Sequence, residues 1–214
     1  PKRVFAHGWL LFDSDKMSKS KGNIVRARPI QQVMGMDALR YFLLREVPFG
    51  QDGNFSYEAL VGRYNSDLAN GLGNLASRTL TMIRQYRGGL IPASAGDAAV
   101  AQAARDALRA ALEAFERLEF SRGLEAVWGL FSVVDKFIVE RAPWTLFKKQ
   151  DPAAQERVSE TLYTAAEVLR IATILLSPVL PESAAKIWRQ LGMTAPLESQ
   201  RVDRLEWGGL AAGQ

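Results

Sequence analysis

A short polar loop with three lysines is the first place in this sequence where chemistry could occur. The stretch DSDKMSKSKGN, residues 13–23, sets Lys16, Lys19 and Lys21 among serines and a glycine. Lysine ammoniums beside hydroxyls and backbone amides suit a triphosphate, because its oxygens gain negative charge as phosphoryl or nucleotidyl transfer proceeds. A solvated surface loop is the alternative for any lysine-rich turn. However, the string KMSKS should occur by chance in a chain of this length only about once in ten thousand.

Two other groups of residues have a spacing that could serve binding. Asn74 and Arg78 lie four residues apart in the string NLASR and therefore face the same way on a helix. Trp144 directly follows Pro143, which fixes the backbone just before the aromatic ring. Taken singly, each has a structural explanation: a solvated helix flank for Asn74, a surface cation for Arg78 and a cover over the end of a bundle for Trp144.

The elements that position the lysine loop are predicted to be a strand before it and helices after it. Residues 4–12 form an apolar run of strand length that ends in turn-forming residues, which predicts a buried strand. After the loop, Pro29 marks the start of a short helix that Gly35 ends, and Asp37 is predicted to cap a second helix. The polar, glycine-rich stretch at residues 49–56 marks a boundary.

Beyond that boundary the apolar residues recur with helical spacing. Breaks such as RGGLIPASAG at residues 87–96 separate five amphipathic helices with short connections, which predicts an α-helical bundle. Gly71 and Gly73 lie inside the first helix and indicate a close backbone approach or a bend. The predicted fold is mainly α, with a small α/β segment over residues 1–55 that carries the lysine loop and a bundle over residues 56–214.

Composition restricts the class of protein. With 214 residues and 48% hydrophobic content, the chain can bury a good-sized core. A net charge of +4 and a pI near 9.5 favour polyanionic partners. The absence of cysteine and the single histidine argue against a metal site and fit a reducing compartment. The longest apolar run, residues 171–180, is shorter than the roughly 20 residues of a membrane span. We therefore expect a cytoplasmic protein without a membrane partner.

The string KMSKSKGN resembles the signature loop of class I aminoacyl-tRNA synthetases. Within that class, NLASR and the string ERAPW at residues 140–144 resemble sites of the methionyl-tRNA synthetases, and the resemblance extends over nearly the whole chain. It implies that Lys19 stabilises the phosphates of ATP while the adenylate forms. It also implies that Lys16 and Ser18 support the loop, which makes these three the expected catalytic residues.

The same resemblance implies that the helical part reads the CAU anticodon of a methionine tRNA. Trp144 would stack on an anticodon base, while Asn74 and Arg78 would hydrogen-bond base edges. This chemistry also stands independently, because anticodon loops offer unstacked bases to aromatic faces and polar side chains. Stacking on one aromatic side chain is worth about 1 to 3 kcal/mol.

A complete enzyme of this family activates methionine with ATP and Mg²⁺ and transfers it to tRNA. The family's HIGH tetrapeptide does not occur in this sequence. We therefore expect the chain to be the C-terminal part of such a synthetase, able to bind tRNA but inactive in adenylate formation by itself. Two alternatives stay open: a class I synthetase for cysteine, isoleucine, leucine or valine, and a free-standing tRNA-binding helical module without catalysis.

Overall fold

A computed structural model describes residues 1–149 and 151–213, and its first part is a small sheet with two helices. The strands are β1 (Leu10–Phe12), β2 (Asp15–Lys16) and β3 (Gly53–Phe55), and the helices are α1 (Ala27–Met34) and α2 (Met36–Glu46). β1 lies in the middle of the sheet, antiparallel to β2 and parallel to β3. Because parallel neighbours need a long crossover, the chain between β1 and β3 holds both the lysine loop and the two helices.

The strand predicted over residues 4–12 is confirmed only at its end. Residues 10–12 pair with β3 and residues 11–12 also pair with β2, whereas residues 1–7 are exposed. A strand needs partners for its N–H and C=O groups, and β2 and β3 supply them only along β1. The sequence also predicted a buried strand, whereas β1 is only half-buried. β3 lies within the stretch 49–56, whose polar composition gave no strand signal.

The two short helices confirm the predicted positions but not the predicted cap. α1 has Pro29 in its first turn, where the missing N–H breaks no helical bond, and Gly35 at φ 84° ends it. Gly35 is also the N-cap of α2, so the prediction that Asp37 caps α2 is wrong. The Asp37 carboxylate instead accepts the backbone N–H of Ser183, at 2.7 Å, in a helix far along the chain.

One long helical run carries the first apolar stripe. α3 (Tyr57–Arg63) and α4 (Asn74–Arg87) are joined by ten residues, Tyr64–Gly73, with the wider π-helical pattern of hydrogen bonds; we call these ten residues the π segment. The Ser56 hydroxyl caps the run by accepting the N–H of Ala59 at 3.1 Å. Gly88, at φ 63°, ends the run inside the predicted break.

The close approach expected at the two glycines is confirmed. A Cβ on Gly71 would lie 3.1 Å from the indole nitrogen of Trp128, and one on Gly73 would lie 2.9 Å from the carbonyl oxygen of Leu68. Glycine therefore leaves room for a neighbouring side chain in one case and for the helix's own wider turn in the other.

The remaining helices form the predicted bundle. They are α5 (Ala98–Glu116), α6 (Phe120–Arg141), α7 (Pro143–Leu146), α8 (Pro152–Leu176) and α9 (Pro181–Gln190), followed by 3-10 turns at Leu197–Ser199 and Val202–Arg204. α6 ends before Pro143, as expected from the restriction that a proline puts on the preceding residue. α5 and α8 begin at aspartate caps, Asp97 and Asp151.

α8 lies at the centre of the bundle. Every residue from Thr161 to Leu176 is buried, so neighbours cover this part of the helix on all sides. Its buried charge is fully bonded: Glu167 accepts two bonds from Arg170, at 2.7 and 2.8 Å, and backbone N–H groups of residues 208–210. Glu167 therefore attaches the C-terminal segment to the bundle.

The buried apolar side chains form two clusters. A large cluster fills the bundle, and a small one beneath the sheet consists of Ile30, Leu39, Phe42, Phe55 and Leu60. These clusters confirm a mainly α fold in which a small α/β segment precedes a bundle. The boundary between residues 55 and 56 stays a prediction. In the described ranges, no helix combines the length and apolar character needed to cross a membrane.

Candidate phosphate loop and nucleic-acid interface

The lysine loop starts in a β-hairpin with a two-residue turn. Asp13 and Ser14 join β1 to β2 with left-handed backbone angles, φ 48° and 68°, as tight hairpin turns require. The Ser14 N–H donates to Oδ1 of Asn54 at 2.7 Å, and the Asp13 N–H donates to the carbonyl of Phe55 at 3.2 Å. Since both acceptors belong to β3, the strand on the other side of β1 from β2 fixes the start of the loop.

Asn23 closes the loop at its other end. Its Oδ1 accepts the N–H of Ser18 at 2.8 Å, and its Nδ2 donates to the carbonyl of Lys16 at 3.3 Å. The hydroxyls of Ser18 and Ser20 lie 2.8 Å apart, and the N–H of Gly22 bonds the carbonyl of Lys19 at 3.3 Å. One asparagine side chain therefore holds the loop in a compact turn by bonding the backbone of Lys16 and Ser18.

The three lysines of the loop have different electrostatic partners. Lys21 lies 3.4 Å from Asp15, in a largely exposed ion pair. The Lys16 ammonium lies 5.0 Å from the ring centroid of Trp9, within cation–π range. Lys19 is exposed, and no carboxylate in the described part of the chain pairs with it. Lys19 is thus the loop cation whose charge is least compensated and most open to an anion.

Asn74 and Arg78 lie one turn apart at the beginning of α4, as the spacing predicted. Asn74 is the exposed first residue of the helix. Arg78 is half-buried and forms an ion pair with Asp135 of α6. Burial raises the pKa of the Asp135 carboxyl, and the Arg78 guanidinium opposes that shift. Because a guanidinium has five N–H donors, this pair orients Arg78 and still leaves donors for another acceptor.

Trp144 is presented by the turn between α6 and α7. Ala142 has a left-handed φ of 44°, and Pro143 is the first residue of α7. The Trp144 side chain is 41% exposed, which leaves part of the indole open to solvent. Nearby, the rings of Phe147 and Tyr86 stack with centroids 4.3 Å apart. That stack connects the chain after α7 to the end of α4.

The structure places the six predicted residues at three positions. Lys16, Ser18 and Lys19 share the loop beside the small cluster. Asn74 and Arg78 share the start of α4, and Trp144 lies in α7, next to the chain whose Phe147 stacks on Tyr86 near the end of α4. The loop and the start of α4 are attached to different clusters of buried residues.

Two residues that support these groups were missed in the sequence. Asn23 was within the quoted loop string, so its position next to a turn glycine offered a signal for a side-chain-to-backbone bond. Asp135 offered none, since the sequence does not indicate that a carboxylate 57 residues away would meet Arg78. Among the residues described, no group of three His, Cys, Asp or Glu side chains is arranged to hold a metal ion.

Comparison with known proteins covers both parts of the chain. Residues 1–80 match the family described as tRNA synthetases class I (M), and residues 91–208 match the anticodon binding domain of methionyl tRNA ligase. Methionine–tRNA ligase of Caldanaerobacter subterraneus subsp. tengcongensis is 45% identical, with 100% of this chain and 33% of the relative covered. The Bacillus subtilis methionine–tRNA ligase is 47% identical, over 91% of this chain and 30% of the relative.

A solved structure agrees with these sequence matches. The crystal structure of Mycobacterium tuberculosis methionyl-tRNA synthetase bound by methionyl-adenylate superposes with a TM-score of 0.89 at 44% identity, over 100% of this chain and 42% of that one. The chain thus spans about a third of the length of the curated relatives it matches. Because the anticodon-binding family alone matches residues 91–208, more than half of the 214 residues, the chain belongs to the methionyl-tRNA ligase family.

Proposed function

We propose that this chain supplies the phosphate loop and the anticodon-reading bundle of a cytoplasmic methionine–tRNA ligase. The observation that carries the proposal is the pairing of two family matches in one chain, a class I synthetase region followed by a methionyl-tRNA ligase anticodon-binding domain. The complete enzyme would activate methionine with ATP and attach it to a tRNA with the anticodon CAU.

In the activation step, the methionine carboxylate attacks the α-phosphorus of ATP and pyrophosphate leaves. Negative charge then grows on the departing phosphates, and an ammonium directed at them lowers the barrier. Lys19 suits this role because its charge is exposed and lacks a carboxylate partner in the described residues. Lys16 and Ser18 would hold the loop for it through their bonds to Asn23.

Mg²⁺ does not fit the side chains of this loop. The loop is rich in lysines, and of its two carboxylates Asp13 lies in the hairpin turn while Asp15 pairs with Lys21. Mg²⁺ prefers oxygen ligands such as carboxylates and phosphates. Mg²⁺ would therefore bind the phosphates of ATP and not the side chains of this loop.

In tRNA recognition, Trp144 would stack on one unstacked anticodon base, while Asn74 and Arg78 would bond base edges. The exposed indole and the exposed amide support these roles. The ion pair with Asp135 supports the role of Arg78, because a preoriented guanidinium loses less conformational freedom on binding.

The test is a fluorescence titration of this chain with an anticodon stem-loop carrying CAU. A second stem-loop, changed only at the first anticodon base, serves as the matched RNA. We expect the CAU stem-loop to bind at least about tenfold more tightly, the discrimination that one well-formed base contact provides. Equal affinity for the two RNAs would contradict base reading by this bundle.

A further inference from the structure

The π segment ends directly before Asn74, the first residue expected to meet RNA. The N–H of Asn74 bonds the carbonyl of Ala69, five residues back, whereas an α-helical turn would close on the residue four back. A wider turn of this kind changes the direction of the side chains that follow it, relative to an uninterrupted α-helix. The width of this segment thus decides which residues of α4 face the core and which face solvent.

Asp67, in the middle of the π segment, is bound from three sides. Its carboxylate accepts the Tyr41 hydroxyl at 2.7 Å, a guanidinium N–H of Arg63 at 3.3 Å and the Ser66 hydroxyl at 2.6 Å. Arg63 is in turn bonded to Glu46 of α2 at 2.7 Å. Two of these contacts, Tyr41 and Glu46, come from α2, in the segment that carries the lysine loop.

The side chain of Trp128, in α6, binds the backbone of the π segment. Its indole N–H donates to the carbonyl of Asp67 at 3.1 Å, and its ring lies 4.6 Å from that of Tyr41. The indole reaches this carbonyl because Gly71 has no Cβ, which would lie 3.1 Å from the indole nitrogen. The Asp67 carbonyl thus accepts a hydrogen bond from a side chain of another helix. In an ordinary α-helix, a carbonyl accepts the backbone N–H four residues later in the same helix.

The Tyr41 hydroxyl is suited to a permanent role as a donor. The side chain is buried, and burial raises the pKa of the phenol above its usual range, with the Asp67 carboxylate acting in the same direction. Tyr41 packs in the large cluster, whereas the next residue, Phe42, packs in the small one. This tyrosine therefore lies where the two parts of the molecule meet.

We propose that Tyr41 and Trp128 are positioning residues for base recognition: by holding the π segment at Asp67, they fix the direction in which Asn74 and Arg78 face an unpaired RNA loop. Neither residue is expected to touch the RNA. The inference rests on the proposed function of Asn74 and Arg78, and it adds residues from α2 and α6 that no sequence motif singled out.

The test compares Tyr41→Phe with Tyr163→Phe in the 214-residue chain. Both changes remove a buried hydroxyl, since the Tyr163 hydroxyl donates to the carbonyl of Leu210 at 3.2 Å, away from the π segment. In Tyr41→Phe we expect the preference for the CAU stem-loop over the stem-loop changed at its first anticodon base to fall by about fivefold, the equivalent of one net hydrogen bond. We expect binding of the changed stem-loop to vary by less than about twofold. Tyr163→Phe should retain the wild-type preference.

Hydrogen exchange without RNA gives a second readout. The backbone amides of Leu72 and Asn74 should exchange faster in Tyr41→Phe than in Tyr163→Phe, because only the first change loosens the π segment. An unchanged CAU preference in Tyr41→Phe, or unchanged exchange at these amides, would overturn the inference. If the wild-type chain shows no preference for CAU, the proposed function fails first. Exchange then decides separately whether the hydroxyl holds the segment.

Discussion

The lysine loop and the start of α4 are supported in opposite ways. The loop extends from a three-stranded sheet over five buried side chains, and one asparagine side chain contacts it at each end. α4 is packed into the large cluster of the bundle, and the π segment directly before it is bonded to two other helices. Segments with few buried contacts open at low free-energy cost, whereas well-packed helices do not. The comparison suggests a loop that can adjust to developing charge and a binding surface that keeps its geometry.

The largest effect should come from breaking the centre of the bundle. Glu167→Ala removes the acceptor for Arg170 and for three backbone N–H groups, and it leaves a buried guanidinium without its carboxylate. We expect the free energy of unfolding to fall by about 3 to 5 kcal/mol. Urea unfolding measures it, with Glu113→Ala on the exposed side of α5 as the control. A loss below about 1 kcal/mol would mean that the bundle does not depend on this network.

The next largest effect concerns the loop. Lys19→Ala in the complete enzyme should slow adenylate formation by about 10² to 10³ while methionine binding stays nearly unchanged, because the contact strengthens in the transition state. Pyrophosphate exchange measures the rate. Lys21→Ala is the matched control, since Lys21 has Asp15 as a nearby partner whereas Lys19 has none in the described residues, and it should cost less than about tenfold. Equal losses of rate for the two variants would contradict the proposal that Lys19, and not Lys21, stabilises the departing phosphates.

A pair of exposed tryptophans compares the two regions directly. Trp144→Ala in the bundle should weaken binding of the CAU stem-loop by about 1 to 3 kcal/mol, the value of one base stack. Trp9→Ala beside the lysine loop removes a side chain that is 67% exposed and should leave that affinity unchanged. Isothermal titration of both variants measures the difference. A weaker complex in Trp9→Ala would indicate that the anticodon stem-loop also contacts the loop region.

The smallest effect is expected in the salt dependence. If Arg78 also meets a phosphate, Arg78→Ala should flatten the slope of log affinity against log salt concentration by about one. Titrations over a series of salt concentrations measure that slope, and Arg109→Ala on the exposed face of α5 is the control. An unaltered slope with lower affinity would confine Arg78 to contacts with bases.

Much of the helical fold could be predicted because its signals are local. The limits of α6 and α8 follow from apolar periodicity and from prolines at their ends, and these prolines act through their immediate neighbours. The prediction for the sheet was less accurate. Gly53 and Asn54 resemble a linker, and they become a strand only because β1 offers hydrogen-bonding partners from far along the chain.

The sequence by itself determined the mainly α fold, the lysine loop and the spacing of Asn74 and Arg78, because helix periodicity, turn residues and short motifs are properties of neighbouring positions. Only the tertiary structure decided that Asp37 caps α9, that Asp135 orients Arg78 and that Tyr41 and Trp128 hold Asp67. Each of these contacts joins side chains or backbone groups that lie far apart along the chain. Burial makes such polar groups find partners, and the packing of whole helices selects which partners are within reach.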